Sequence, residues 1–179
     1  MANYSASMAD FHTSPVMKRT FFLLVQGEGV NREEILRDFR VDLSGSSEAD
    51  RRVIRKASDK MRDLVNAADG LSVADNLRDF EQRRWSVTSA NVHGEFLKVT
   101  KELFGDNANW GRVVGLAGFA VAYAIYVERL GIHGVIPSVC EWTVHVFTER
   151  LGKFLQDSGG WVSMHVMRVL HSVDPHPST

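Results

Sequence analysis

Apolar residues recur three and four positions apart along most of this chain, the spacing that lines one face of an α-helix. Thr13-Ser14-Pro15 reads as a helix start, with proline near the first turn, and predicts a short helix over Val16 to Gln26. Asn31 offers a cap for a second, Arg32 to Arg40, where Ile35, Leu36 and Phe39 share a face. After the Ser44 to Ser47 loop, Ser47 caps Glu48 to Ala67, and Val53, Ile54, Ala57, Met61, Leu64 and Val65 make its apolar side. Ser72 caps Val73 to Arg83, and Trp85 to Phe104 follows. Asn109 to Leu130 is apolar almost all round, which marks a central helix surrounded by the others. Gly131 and Gly134 break the chain, and Ile136-Pro137 opens a helix to about Gln156. Ser158-Gly159-Gly160 interrupts, Trp161 to His171 closes the series, and the polar tail from Ser172 is expected to fray. The expected class is all-α.

At 179 residues the chain is expected to be one domain over 1–179, with flexible ends at 1–14 and 172–179. A net charge of −1 gives no global attraction to nucleic acid. The single cysteine, Cys140, rules out an internal disulfide and points to a reduced, cytosol-facing compartment. Val113 to Val127, the longest uncharged apolar run, falls short of the about 20 residues of a spanning helix and fits a buried core helix better.

Catalytic chemistry finds little to work with. The histidines lack metal-ligand spacing, no cofactor pattern occurs, and Gly27 and Gly29 do not open a phosphate loop. Cys140 lies near Glu141 and His145 but has no third group or oxyanion site, so the chain reads as a non-enzyme. His93, His133 and His145 are expected at the surface. Arg51, Arg52, Arg55 and Lys56 form a solvated basic face, and Trp142 and Phe147 are expected in the core against the central helix.

The informative stretch is Phe104-Gly105-Asp106-Asn107-Ala108-Asn109-Trp110-Gly111-Arg112, opening the apolar helix. It resembles the first homology motif of the Bcl-2 family of apoptosis regulators: a phenylalanine, a polar turn, then Asn-Trp-Gly-Arg. Some fifty residues later, Gly159-Gly160-Trp161 is similar to the family's second motif. Ile54-Arg55-Lys56-Ala57-Ser58-Asp59 resembles its BH-three motif (leucine, three residues, a small residue, aspartate), with isoleucine for leucine and serine where glycine is commonest. The family's N-terminal homology region is placed at Val16 to Gln26.

The resemblance implies seven to eight helices around the central one, and a surface groove that receives the BH-three helix of a pro-apoptotic partner. Such a groove needs an apolar trough for anchors at i, i+3 or i+4, and i+7. Met61, Val65, Phe80, Val99, Leu103 and Phe119 are the candidate lining. Arg112 would grip the partner's aspartate through its two-pronged guanidinium. Asn109 would add a hydrogen bond or cap the central helix, and Gly111 would admit the ligand backbone. Trp110 and Trp161 are expected to pack rather than contact ligand.

The implied role is inhibition of cell death, on the cytosol or the cytosolic face of the mitochondrial outer membrane. The alternative is a pore-forming, death-promoting effector of the same fold. Many relatives end in an apolar membrane anchor of about 20 residues. This chain stops at Asp174 to Thr179, which leaves an unanchored protein and a removed anchor equally open.

Overall fold

A computed structural model describes residues 3–30, 33, 41, 43–105 and 107–164; side chains of residues 3–11 and of Phe104 are not described. Seven helices follow in order: α1 Asn3–Gly27, α2 Glu48–Ala67, α3 Val73–Arg83, α4 Val92–Phe104, α5 Trp110–Arg129, α6 Val135–Asp157 and α7 Gly160–Ser163. No strand occurs among the described residues. The expected helix at 32–40, the end of the last expected helix and the tail from Ser172 lie outside them.

Helix α5 is the axis of the bundle. Every residue from Val113 to Val127 is buried. It is long and apolar enough to cross a membrane by length and composition, yet 83% of its most apolar window lies inside the fold. Helices α1, α2, α3, α4 and α6 all pack on it, and α1 also lies across α2 and α6.

Helix α1 corrects the expected boundary. It begins at Asn3, within the segment read as a flexible end, and runs through Pro15. Proline forfeits one intrahelical hydrogen bond. Tertiary contacts on the added turns offset that loss. Thr13 is buried and accepts a 3.2 Å hydrogen bond from Trp161 Nε1. His12 is also buried and pairs with Asp50 at 2.8 Å. Further along, Val16, Met17, Phe21, Leu24 and Val25 face the core.

Helix α2 has the expected bounds because Ser47 and Asp50 form a reciprocal capping box. Its buried positions, Ile54, Ala57, Ser58, Met61 and Val65, make one stripe at helical spacing. Ser72 caps α3, its hydroxyl accepting from the Asp75 amide, and Arg84 ends it in the left-handed region at φ 49°.

The expected helix from Trp85 is shortened to Val92. Residues 84–91 leave the helix because other elements claim their polar groups. Tyr126 Oη donates to the Trp85 carbonyl at 2.8 Å, and Trp85 Nε1 donates to Glu95 at 3.2 Å. The Thr88 amide donates to Asn91 Oδ1 at 2.7 Å. Tyr123 Oη then donates to the Val92 carbonyl at 2.6 Å and ties the start of α4 to the central helix.

Gly118 shows how closely the α2–α3 turn rides on α5. A Cβ there would stand 2.2 Å from the Leu71 carbonyl oxygen, so no side chain fits.

Candidate functional site

Helices α3 and α4 diverge over the surface of α5 and leave a cleft of about 430 Å³. Phe80 from α3, Val99 and Leu103 from α4, and Gly115 and Phe119 from α5 line it, with Leu71 and Trp85 from the flanking turns. Asn76, Asp79, Arg83 and Glu102 make a polar rim. An apolar trough with a polar edge favours a ligand that is itself apolar on one side.

The aromatic side chains stiffen this floor. Phe80 meets Phe119 edge to face at 5.8 Å, and Phe119 stacks on Phe96 at 5.9 Å. Trp85 lies against Tyr123 at 5.2 Å. Burial holds the Tyr123 hydroxyl protonated far above its ordinary range, with the Glu95 charge adding to the effect. The bond from Tyr123 to Val92 therefore persists at any physiological pH. Lys98 and then Trp85 hold Glu95 below the usual carboxylate range by hydrogen bonding, so it stays an ionised acceptor.

Of the six apolar residues named as candidate groove lining, Phe80, Val99, Leu103 and Phe119 line this cleft. Met61 and Val65 do not. Both are fully buried on the inner stripe of α2, where Val65 abuts Gly118. The α2 period is equally compatible with a wall of the cleft and with the core, and packing decided for the core. Sequence reasoning also missed Leu71, Trp85 and Gly115. Gly115 was findable, since it stands one turn from Arg112. Leu71 and Trp85 sit in turns, where periodicity carries no signal.

Arg112, Gly115 and Phe119 fall at i, i+3 and i+7, one stripe of α5. Two of them line the cleft, and the half-exposed Arg112 begins the same stripe one turn earlier, about 4.5 Å along the axis from Gly115. Arg112 Nη1 donates to the Asn107 carbonyl, which turns the guanidinium toward the α4–α5 loop. Asn109 is the N-cap of α5: its Oδ1 accepts from the Arg112 amide at 2.9 Å. Gly111 keeps that cap open, because a Cβ there would lie 3.3 Å from the same oxygen.

Trp110 packs edge to face on Phe154 at 5.4 Å and on Trp161 at 6.0 Å. Trp161 is buried and stacks on Phe147, itself fully buried. Trp142 is only half buried, against expectation. It faces α4, stacking on the exposed His93 at 4.4 Å and meeting Phe96 at 5.8 Å.

The segment Ile54 to Asp59 turns inward. Ile54, Ala57 and Met61 are at most 1% exposed. Asp59 accepts from Arg19 Nη1 at 2.7 Å, and the same group reaches Ser58 Oγ at 2.6 Å. The outer side of α2 carries Arg51, Arg52, Arg55 and Lys56, all exposed. Cys140 is buried, and that burial, helped by Glu141, pushes its thiol far above the ordinary range. It is therefore a protonated packing residue.

Comparison with known proteins agrees with this architecture. The family described as "Apoptosis regulator proteins, Bcl-2 family" matches residues 51–161. Apoptosis regulator Bcl-2 of Gallus gallus is 30% identical over 86 residues, 47% of this chain and 37% of that protein. Bcl-2 homologous antagonist/killer of Homo sapiens is 32% identical over 77 residues, 42% of this chain and 36% of that protein. The match thus spans little more than a third of the length of these relatives. Among solved structures, Geodia cydonium BHP2, crystallised in complex with Lubomirskia baicalensis Bak-2, superposes with a TM-score of 0.76. It shares 31% identity, over 92% of this chain and 94% of that one.

Proposed function

This chain belongs to the Bcl-2 family of apoptosis regulators, and from that premise we propose that it binds BH-three helices of pro-apoptotic partners in the α3–α4–α5 cleft and so restrains cell death. The observation that carries the reading is the shared stripe of Arg112, Gly115 and Phe119, which sets a fixed cation one turn before two residues of an apolar trough. An amphipathic helix laid there buries its apolar anchors, each stabilising the complex by about 1.5–3 kcal/mol. Its aspartate reaches Arg112, and a misregistered helix leaves a carboxylate stranded against apolar wall. That BHP2 was crystallised in complex with Bak-2 supports a protein partner of the Bak type.

The state of this chain's own BH-three-like segment favours the restraining role. Its apolar positions are buried and Asp59 is engaged by Arg19. A receptor presents its groove and keeps such a helix inside. The place of action we propose is the cytosol and the cytosolic face of the mitochondrial outer membrane, where partners of this kind act.

Calorimetric titration with a panel of BH-three peptides, each paired with an aspartate-to-alanine version, tests this. The expected result is tight binding that weakens by about 2–5 kcal/mol in Arg112→Ala, much of it from the partner's unpaired carboxylate. Unchanged affinity in that variant would overturn the mechanism.

A second reading, a pore-forming effector, draws on the similarity to the human antagonist/killer protein. Dye release from liposomes with an activating BH-three peptide separates the two: an effector releases dye and a restraining receptor does not.

A further inference from the structure

Of the serines and threonines in the chain, Ser58 and Ser86 alone have Lys or Arg at both the third and the second position before them: Arg55 and Lys56, and Arg83 and Arg84. Two cations ahead of a hydroxyl suit a protein kinase whose substrate surface is acidic, because opposite charges guide and hold the encounter. The fold treats the two serines oppositely. Ser58 is fully buried on the inner stripe of α2. Its hydroxyl donates to the Ile54 carbonyl at 2.6 Å and accepts from Arg19 Nη1 at 2.6 Å. Ser86 is exposed, lies in the non-helical stretch 85–88, and makes no hydrogen bond among the described residues. Arg83 and Arg84 are exposed as well. On either side of the hydroxyl the chain is anchored. Trp85 is held by Glu95 and Tyr126, and Val87 is buried. The α3–α4 connection therefore presents Ser86 Oγ and both guanidinium groups to solvent from a fixed turn.

We infer that Ser86 is the phosphoacceptor of an arginine-directed protein kinase and, resting on the groove reading above, that its phosphate turns the edge of the cleft against acidic partner helices. In the transfer Ser86 Oγ bonds to the γ-phosphorus of magnesium-bound ATP. The bond from that phosphorus to its bridging oxygen breaks, ADP leaves, and the hydroxyl proton passes to the kinase's carboxylate base. The added group carries a charge of about −1.5 to −2 and three strong acceptor oxygens. It follows Trp85, which lines the cleft, and comes three residues after Arg83 on the rim. Arg83 Nε donates to Asp79 at 2.8 Å in an exposed pair, which contributes little to stability. The phosphate competes for that guanidinium and leaves the Asp79 carboxylate uncovered at the rim. Whatever charge the rim starts with, phosphorylation makes it more negative.

The test incubates the folded full chain with a purified arginine-directed serine/threonine kinase and Mg·ATP, and locates the phosphate by tandem mass spectrometry. Stoichiometric labelling at Ser86 is expected, with none at Ser58. Labelling is lost in Ser86→Ala and slowed about tenfold in Arg84→Asn. Asparagine tolerates the left-handed backbone at position 84, so that variant keeps the turn. Labelling that survives Ser86→Ala, or a folded chain that stays unlabelled while the kinase labels a free peptide of residues 81–90, would overturn the assignment. The phosphorylated and unmodified chains are then titrated with two BH-three peptides, one of net negative and one of net positive charge. Phosphate is expected to weaken the negative peptide about three- to tenfold and to strengthen the positive one, both effects shrinking as salt rises. Equal affinities with and without phosphate would overturn the effect on the cleft. Failure of both peptides to bind the unmodified chain would overturn the groove reading, while the labelling result still decides whether Ser86 is the acceptor.

Discussion

Trp110 and Trp161 meet edge to face, their ring centroids 6.0 Å apart, although they belong to the two separate sequence motifs of the chain. Trp110 opens the central helix, and Trp161 follows the glycine pair after α6. Phe154 and Phe147 complete the cluster. The motifs are therefore two halves of one packing unit, which holds the Arg112 end of α5 against the end of α6.

Removing half of that unit should be costly. Trp161→Ala leaves a large void and removes the hydrogen bond to Thr13. We expect a loss of about 3–5 kcal/mol in chemical denaturation. A loss below about 1 kcal/mol would mean that the cluster is peripheral to stability.

Two glycines on α5 should behave in opposite ways. In Gly118→Ala the new methyl collides with the Leu71 carbonyl, and the α2–α3 turn must move. Destabilisation of about 1–3 kcal/mol is expected. In Gly115→Ala the methyl meets only the Leu71 side chain, at 3.9 Å, and helix propensity improves. That variant should fold at least as well, yet bind BH-three peptides more weakly because the methyl enters the cleft. Thermal denaturation and peptide titration on the pair would check both halves.

Acid should act through the helix caps. Asp75 is held below its ordinary value of 3.8, chiefly by the hydrogen bond from Ser72, with Arg78 adding to it. Asp50 is held down by Ser47 and then His12. A carboxylate whose folded value is lowered contributes its full stabilisation above 3.8. That contribution is lost as pH falls through the folded value, because the unfolded chain takes the proton first. Stability should therefore decline as pH drops below about 4, and Ser72→Ala should flatten that decline. An unchanged slope in Ser72→Ala would mean that other carboxylates govern acid unfolding.

Cys140 should resist thiol reagents in the native protein at mildly alkaline pH, because burial keeps the thiol protonated. Labelling should follow the unfolding transition when denaturant is added. Rapid labelling without denaturant would require opening of the α6 face.

Local signals were readable wherever one side chain acts on its own backbone. Ser47 and Ser72 marked the starts of α2 and α3, and Asn109 marked that of α5, since each cap is decided within four residues. The all-round apolar run to Val127 could only be the buried axis. Errors arose where distant groups intervened. Trp85 is drawn out of a helix by Tyr126 and Glu95. Pro15 is carried inside one by contacts that His12 and Thr13 make with Asp50 and Trp161.

The same division governs the groove. Motif spacing placed Arg112 and Phe119 on one face of α5, because 3.6-residue periodicity is a property of the chain alone. Whether Met61 and Val65 faced the cleft or the core was not so determined. That depended on how α2 rotates against α1 and α5, which is settled by the Arg19–Asp59 pair and by the close seat of the α2–α3 turn on Gly118. Helices, their caps and their apolar stripes are written in local sequence. Which stripe meets a partner and which meets the core is decided by packing between elements far apart in the chain.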